Sequence, residues 1–497
     1  MFFVPPERPT REQLIALAKS DPEAIADLVL MLWDRVAALE ARVRELERNS
    51  RNSSRAPSSD RSNFNPPPKP KSLRGKSGRK PGGQDGHVGE TLLQSDCPDR
   101  IIEHRFGPDA RCPDCGTLLG ADSSELHEEN CEQRQVFELP AIRIEVVEHR
   151  AERRVCPDCA TTVAAAFPAG VTSPVQYGES IQAAAIYFNV RQMIPYARCA
   201  ELFTELFACP ISQGTLANFV KRAGAKAAVA MEPVREKLVA ADIAHADETG
   251  CRVRGKLHWL HVLSTAKLTS YHIDTKRGSE GMNRIGLLGR FAGRLVHDFL
   301  SGYYLFEYRH QLCAAHLLRE LIYLKEQMDQ PWAGKMIELL LDAKDLAERE
   351  QSRDEGARHI IGERTRQRIR VRYAGIVLEG LALNPEPPAP PSGTRGRVKR
   401  SKALNLLIRL EERYEEIMGF FEYPGVPFDN NQAERDLRMM KVREKISGTF
   451  RSEGHAEAFC DLRAILSSAT KQRANLLETL TELLRSPEDL GEKLAQE

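Results

Sequence analysis

The chain has 497 residues, 41% of them hydrophobic and 28% charged, a size and composition that predict several domains with apolar cores. Its 71 basic and 70 acidic residues nearly cancel, so the net charge of +1 is no evidence for or against nucleic acid as a partner. No stretch of about 18 apolar residues occurs, which excludes a membrane span, and the first residues give way at once to charged sequence, which gives no support to secretion. We therefore expect a cytoplasmic protein whose 11 cysteines are reduced thiols, so that paired cysteines indicate metal rather than disulfides.

Apolar residues repeat every seven positions in the N-terminal segment, residues 1–50. One series is Ile25, Leu32, Leu39 and Leu46, and a second is Val29, Val36 and Val43. β-Branched valine at position a with leucine at position d favours a parallel two-stranded coiled coil, and hence a homodimer or a higher oligomer. The alternative is a single amphipathic helix that packs on its own domain.

Residues 51–95 are rich in Ser, Asn, Pro, Lys and Gly and too poor in apolar groups to order as a domain. From Arg61 to Gln84 the sequence has seven Lys or Arg residues and no Asp or Glu, a local charge that favours phosphate. Arg79 and Lys80 lie beside Pro and Gly residues that keep the backbone extended, a shape that suits a DNA minor groove. The prediction is a basic, disordered tether that contacts DNA; the alternative is a solvated linker.

Two identical Cys-Pro-Asp-Cys motifs lie in the next segment, residues 96–170. Their four thiolates match a closed tetrahedral zinc site, and the ligands are Cys112, Cys115, Cys156 and Cys159. Between the motifs, apolar residues spaced for a pleated hairpin predict strand; they are Val136, Leu139, Ile142, Ile144 and Val146. These features predict a zinc ribbon with structural Zn²⁺.

A helical segment, residues 178–235, has the pattern of a helix-turn-helix. One amphipathic helix is predicted over 196–207, a turn follows over 208–211, and Ser212 caps a second helix through Ala223. If the second helix enters a major groove, the side chains that reach bases or phosphates are Gln213, Thr215, Asn218, Lys221 and Arg222. The alternative is a helical hairpin that only packs as scaffold.

Beyond residue 240 the pattern changes to strands. Two of them, 243–247 and 294–298, are each expected to end in an acid, Asp247 and Asp298, with further strands over 257–263 and 269–273. Acids at the ends of two strands of one sheet are able to converge.

A capped helix start is predicted near residue 430, with Asp429 or Asn430 as the cap and Glu434 one turn in. A cage of three carboxylates suits phosphodiester transfer, because two divalent ions about 4 Å apart hold both the nucleophile and the leaving oxygen. Such clustered acids favour Mg²⁺. The alternative for Glu434 is an exposed ion pair with Arg438.

Several blocks of sequence, taken together, resemble the TnpC-type transposases of the insertion sequence sixty-six family. The first is His245-Ala246-Asp247-Glu248-Thr249-Gly250, and the others are residues 297–303, 310–321, 429–435 and 449–454. The heptads, the tether block at 79–84 and the two cysteine motifs resemble that family in order as well, so the match spans nearly the whole chain. Cys313 and His316 fall inside one block and are interpreted as structural or as lining the active site.

This resemblance implies a multidomain α/β protein with a ribonuclease-H-like core and a DDE triad falling on Asp247, Asp298 and Glu434. Two Mg²⁺ or Mn²⁺ ions would be held there, with Asp247 between them. The expected divisions are a coiled coil (1–50), tether (51–95), zinc ribbon (96–170), helix-turn-helix (178–235), core (240–304 and 404–470) interrupted by a helical insertion (305–403), and a C-terminal tail (471–497).

The expected function is a nucleoid-associated transposase that binds the terminal inverted repeats of its own element, cuts them and joins them to target DNA. Small companion proteins of the same element are further candidate partners. The alternatives are a catalytically inactive, zinc-containing DNA-binding protein, such as a degenerate transposase or regulator, and a stand-alone metal nuclease that cuts without joining.

Overall fold

A computed structural model describes residues 11–46, 92–119, 131–140, 142–351, 361–388 and 400–496. The chain forms two compact units. The smaller contains the described parts of Pro68–Glu148 together with Glu205–Cys209, and the larger contains the other described residues. None of the described helices combines the length and the apolar character that crossing a bilayer requires.

Two helices come first, α1 (Arg11–Ser20) and α2 (Pro22–Leu46). The prediction of a long helix over the heptads is confirmed. The described heptad side chains on α2 are all exposed; they are Val29, Leu32, Val36 and Leu39. The side chains of Ile25, Val43 and Leu46 lie outside the described residues. An uncovered apolar stripe on a 25-residue helix is the pattern that coiled-coil partners bury.

A short antiparallel hairpin surrounds the second cysteine motif, with strands β1 (Arg153–Val155) and β2 (Thr162–Ala164). The predicted strands over the earlier apolar residues are wrong, because residues 131–140 and 142–150 have no regular secondary structure. Val136, Leu139 and Val146 are 79%, 87% and 89% exposed. Alternating apolar residues stabilise a strand only where one face is buried against a neighbour, and these side chains bury little surface.

Three helices follow: α3 (Glu179–Ile186), extended by a π-helical turn (Tyr187–Arg191), α4 (Tyr196–Phe207) and α5 (Gln213–Val239). The bounds of α4 and the capping role of Ser212, whose side chain accepts a hydrogen bond from Thr215 N, are confirmed. Helix α5 does not end near Ala223, however, and continues to Val239 past Pro233. One face of it stays buried throughout, so packing extends the helix beyond its predicted end.

The sheet contains β3 (Ile243–Val253), β4 (Lys256–Ser264), β5 (Thr269–Asp274), β6 (Arg294–His297) and β7 (Arg309–Leu312), with α6 (Ser279–Ile285) and a 3₁₀ turn (Ser301–Leu305) between strands. Its order is β5-β4-β3-β6-β7; β4 pairs antiparallel with β3 and β5, and β6 pairs parallel with β3 and β7.

The expectation that a strand ends at Asp247 is wrong. Strand β3 continues to Val253 because it forms a hairpin with β4. The two residues of the turn, Arg254 and Gly255, have φ angles of 50° and 77°. Positive φ at both central positions gives a turn whose twist matches the paired strands, so the hairpin stays in register along its whole length.

Helices after the sheet complete two apolar cores. They are α7 (Ala314–Gln327), α8 (Pro331–Gln351), α9 (Glu363–Leu383), α10 (Lys402–Glu412), α11 (Tyr414–Glu422), α12 (Asn431–Ser447), α13 (Glu453–Lys471), α14 (Leu476–Arg485) and α15 (Pro487–Gln496). The sheet packs with α5 and with α12–α15 in the first core, and α7–α11 form the second, which runs from Leu312 to Val426. The helical core therefore differs from the expected 305–403 insertion at both ends. At the start, β7 belongs to the sheet, and beyond residue 403 the helices α10 and α11 still belong to the helical core.

We expect Gly224→Val to destabilise the protein where α5 crosses α13. A Cβ added at Gly224 meets Ala458 Cβ at 2.3 Å and Ala458 Cα at 2.7 Å, so the larger residue forces the helices apart. Overpacking of this kind costs about 1–3 kcal/mol of unfolding free energy. Chemical denaturation measures it. The control is Gly214→Ala, near the start of the same helix, where the added Cβ finds only Ser212 Oγ at 3.8 Å and stability should not fall; equal losses would contradict the crossing.

Candidate active site

Asp247 and Asp298 lie side by side on neighbouring parallel strands. In the ladder between β3 and β6, His245 pairs with Val296. Two residues further along each strand come Asp247 and Asp298, the latter directly after β6. Side chains two apart on a strand point to the same face, so both carboxylates emerge on one side of the sheet. The structure thus brings together these two predicted site residues.

Glu248 joins the two aspartates to form a carboxylate cluster. Asp247, Glu248 and Asp298 each offer an oxygen within 4.8 Å of the other two. Burial, followed by the negative charges of Glu248 and Asp298, raises the pKa of Asp247 well above its ordinary range. Burial and then the charge of Glu248 raise the pKa of Asp298 to about 7. Each ionised carboxylate therefore makes the next one harder to ionise, which is the electrostatic state that a bound cation relieves.

Glu248 is held from two sides by Arg277 and Tyr303. Arg277 Nε donates to one carboxylate oxygen at 2.8 Å, and the Tyr303 hydroxyl donates to the other at 2.7 Å. The Arg277 guanidinium also lies 3.8 Å from Asp298 Oδ2. Glu248 and Tyr303 stand inside blocks of family resemblance, a signal that could have identified them. Arg277 lies in the loop after β5, where no local pattern indicated it.

Helix α12 begins beside β3 and carries Glu434 in its first turn, as predicted. Asn430 occupies the N-cap position, but its side chain bonds to the strand rather than to its own helix. Its Nδ2 donates to Ala246 O at 2.8 Å, and its Oδ1 lies 2.9 Å from His245 Nδ1. The start of α12 is therefore fastened to the residues of β3 that directly precede Asp247.

Glu434 faces α7 more closely than it faces the carboxylate cluster. Its charge contributes to raising the pKa of Asp247, but the ligand-type atoms grouped within 4.8 Å of its carboxylate belong to Cys313 and His316. The predicted triad is thus divided between two adjacent groups. Among the described residues, Glu434 forms no ion pair with Arg438, so the exposed i,i+4 pair is not present.

Cys313 and His316 line the site at the start of α7. Burial raises the pKa of the Cys313 thiol to about 12 and lowers the pKa of His316 to about 4. Glu434 Oε1 lies 3.9 Å from His316 Nδ1 and 3.9 Å from the Arg319 guanidinium. Because His316 is neutral near pH 7, Arg319 is the cation that faces Glu434.

We expect Asp298→Asn to stabilise the protein in Mg²⁺-free buffer above pH 7. Because the pKa of Asp298 is raised in the folded protein, its carboxyl does not reduce the free energy of unfolding below about pH 4. As the pH rises from there towards about 7, the unfolded chain ionises this carboxyl more readily than the folded protein does, so stability is lost. Each pKa unit corresponds to about 1.4 kcal/mol, so the variant gains a few kcal/mol over that window. Unfolding midpoints at pH 5 and pH 8 measure it.

Asp274→Asn is the control of opposite sign. The Arg284 hydrogen bond is the largest cause that lowers the pKa of Asp274, so this carboxylate stabilises the fold once it is ionised. The asparagine variant is expected to lose stability at pH 8. A destabilised Asp298→Asn protein at pH 8 would contradict the electrostatic description of the cluster.

The predicted DNA-contacting residues on α5 lie at its first turns. Gln213, Asn218, Lys221 and Arg222 are exposed, whereas Thr215 is half-buried and bonds to Ser212. The opposite face of α5 packs on α13 and α15. The helix therefore serves as scaffold along its length while it presents polar side chains at its start. Arg79 and Lys80 lie outside the described residues.

Each cysteine motif forms the same tight turn. Cys112 N bonds to Thr117 O and Gly116 N to Cys112 O, and the second motif repeats both bonds with Cys156, Thr161 and Ala160. The neighbouring threonine hydroxyls lower the pKa of Cys115 and of Cys159. A lowered pKa favours the thiolate form that binds zinc. The two motifs belong to different compact units.

Models of known families match parts of the chain. The zinc-finger binding domain of the IS66 transposases matches residues 109–160, which include both cysteine motifs, and a family of unknown function (DUF6444) matches residues 8–92. No curated protein matches the chain. The model of the Transposase IS66 family matches residues 174–458, which contain the whole sheet, the carboxylate cluster and Glu434. The chain therefore belongs to the IS66 transposase family and carries the zinc-finger domain of that family.

Proposed function

We propose that this transposase cuts and joins DNA with divalent metal ions held by Asp247, Asp298 and Glu434. The observation that carries the proposal is the cluster in which carboxylate oxygens of Asp247, Glu248 and Asp298 lie within 4.8 Å of one another. Oxygen ligands of this kind suit Mg²⁺ or Mn²⁺. The raised pKa of Asp298 supports the same conclusion, since bound cations offset the burial and the repulsion by Glu248 that raise it.

The sheet supports a ribonuclease-H-like core. Its five strands, in the order β5-β4-β3-β6-β7 with only β4 antiparallel to its neighbours, support the core that the family resemblance implies. The two aspartates lie on the central strand β3 and beside it, after β6. Glu434 approaches from α12, which the Asn430 bonds fasten to β3. Two strands and one helix are thus the elements that would contribute the three acids.

In the proposed reaction, Asp247, Asp298 and Glu434 would hold two divalent ions, which would supply Lewis acidity to an attacking oxygen and a leaving oxygen. The protein holds the negative charges that retain them. Asp247 is half-buried, which leaves it accessible from solvent, whereas Glu248 is shielded and occupied by Arg277 and Tyr303. Glu248 therefore orients its neighbours, and Asp247 meets the substrate. In cleavage, water attacks the phosphorus at the element end, and the P–O bond to the 3′-oxygen of that end breaks. In joining, the freed 3′-hydroxyl attacks a phosphodiester of the target DNA, and the 3′-oxygen of the target strand leaves.

DNA contacts are assigned to three places. The start of α5 presents Gln213, Asn218, Lys221 and Arg222 for the terminal inverted repeats, with Thr215 beside the Ser212 cap. The tether with Arg79 and Lys80 is the proposed minor-groove contact. The zinc-finger domain is the third, with one structural Zn²⁺ held by Cys112, Cys115, Cys156 and Cys159; their matching turns support this ligand set.

Self-association is assigned to α2. Its apolar stripe, with Val29, Leu32, Val36 and Leu39 exposed, gives a second copy a surface to bury. Two protomers would place two carboxylate clusters near the two ends of one element. Companion proteins of the same element are proposed as further partners of this assembly.

The test incubates the full-length protein with labelled DNA that carries the element ends, in Mg²⁺, and scores nicked and joined products. Both products are expected. Tight, salt-sensitive binding without nicking would establish the inactive DNA-binding alternative. Nicking without joining would establish a stand-alone nuclease.

A further inference from the structure

Cys313, His316 and Glu434 form a second group of ligand-type atoms beside the carboxylate cluster. Cys313 occupies the N-cap position of α7, His316 lies in the first turn of that helix, and Glu434 lies in the first turn of α12. The two helix starts are joined by bonds from Asn430 N to Cys313 Sγ at 3.2 Å and from Ala314 N to Phe428 O at 3.1 Å. This joint brings one ligand-type atom from each of Cys313, His316 and Glu434 within 4.8 Å of the other two, although Glu434 is far from the others in sequence.

Two atoms of this group are buried without a hydrogen-bond partner in the described part of the chain. They are His316 Nδ1 and Glu434 Oε1, which lie 3.9 Å apart. That separation is too long for a direct hydrogen bond. Leaving a buried polar atom unsatisfied costs about 1–3 kcal/mol, so two such atoms facing one another indicate something that binds between them.

The chemistry of the group identifies the class of ligand. A thiol sulfur, an imidazole nitrogen and a carboxylate oxygen are the three ligand types that zinc takes, and three protein ligands with one open position are typical of a reactive zinc site. Mg²⁺ prefers oxygen ligands alone, as in the neighbouring carboxylate cluster. Arg319, the competing partner of Glu434, has a side chain that is 40% exposed and therefore has room to turn outward.

We propose that Cys313 Sγ, His316 Nδ1 and Glu434 Oε1 bind one zinc-like divalent ion, separate from the Asp247, Glu248 and Asp298 cluster. Solvent completes the coordination. Because Glu434 belongs to this group, a bound zinc-like ion competes for the carboxylate with the Mg²⁺ of the proposed triad. That consequence rests on the proposed function, whereas the binding site itself does not.

The test measures the zinc content of the full-length protein after zinc loading and dialysis. We expect about two ions per chain, one in the zinc finger and one here, and about one ion in Cys313→Ser and in His316→Gln. Cys460→Ser, a change at another buried cysteine outside the group, should retain both ions. Cobalt substitution reports the same loss as weaker sulfur-to-metal absorption in Cys313→Ser.

The site would be overturned if the zinc content stayed unchanged in both Cys313→Ser and His316→Gln. It would also be overturned if the unaltered protein bound only one ion per chain and the Cys112→Ser variant lost that ion. Circular dichroism confirms that each variant folds, and Glu434→Gln gives an independent measure, since it should weaken the zinc affinity without removing a core side chain. The zinc measurement and the nicking assay can give different answers. If these variants lose the ion and the unaltered protein never nicks DNA, the zinc site is upheld and the proposed function is rejected.

Discussion

An Asp247→Asn variant is expected to cut element-end DNA at least about 1,000-fold more slowly than the unaltered protein in Mg²⁺. Asparagine keeps the size of the side chain and an oxygen that accepts the hydrogen bond from Glu248 N, but it removes the charge that holds the cations. Binding of the ends should persist, because the assigned DNA contacts lie on α5, in the tether and in the zinc finger. Gel-shift and nicking assays on the same preparation separate the two properties.

Asp242→Asn is the matched control for this change. Asp242 stands just before β3 and is exposed, and its carbonyl oxygen, which the substitution keeps, accepts from Arg294 N. Its replacement alters the net charge by the same amount without touching the cluster, so cleavage should continue at nearly the normal rate. Cleavage that survives Asp247→Asn would remove the triad assignment and leave a DNA-binding protein.

Local patterns predicted the elements that place the acids. Alternating and apolar runs were sufficient to predict β4 and β5, and the cap signal at residue 430 was sufficient to predict the start of α12. Both features depend on residues that are neighbours in sequence. The length of β3 was missed because it depends on the Arg254-Gly255 hairpin, whose turn gives no Asn-Gly signal. The length of α5 was missed because it depends on α13 and α15, which come over 200 residues later.

Side chains within the site were harder to foresee. Asp247 and Asp298 follow from two strand patterns, but the way they meet depends on the register between β3 and β6, which no local pattern specifies. Arg277 contributes through a loop, where the backbone geometry alone decides which side chain points inward. The prediction of a hairpin over Val136 and Val146 was wrong for the opposite reason. The sequence has a strand-like pattern there, but the buried face that a strand requires is not present.

Arg277→Met is expected to lower the free energy of unfolding by about 3–5 kcal/mol in Mg²⁺-free buffer, the usual cost of removing one partner from a buried ion pair. Glu248 has a fully shielded side chain, and Arg277 is the cation that contacts it, 24% exposed. Without Arg277 the Glu248 carboxylate stays buried beside Asp247 and Asp298 with no cation in contact. Urea denaturation at pH 8, where repulsion within the cluster is largest, measures the loss.

Arg284→Met separates this effect from the loss of any arginine. Arg284, on α6, pairs with Asp274 at the end of β5, but its side chain is 52% exposed, and screened pairs of this kind are worth about 1 kcal/mol or less. Adding Glu248→Gln to Arg277→Met should recover most of the stability, because a neutral amide removes the stranded charge and still accepts from the Tyr303 hydroxyl. The contrary result is a double variant that is no more stable than Arg277→Met alone. In that case the loss comes from packing against Trp259, whose ring lies 5.1 Å from the guanidinium. Arg277 is then not the cation that holds the three carboxylates together.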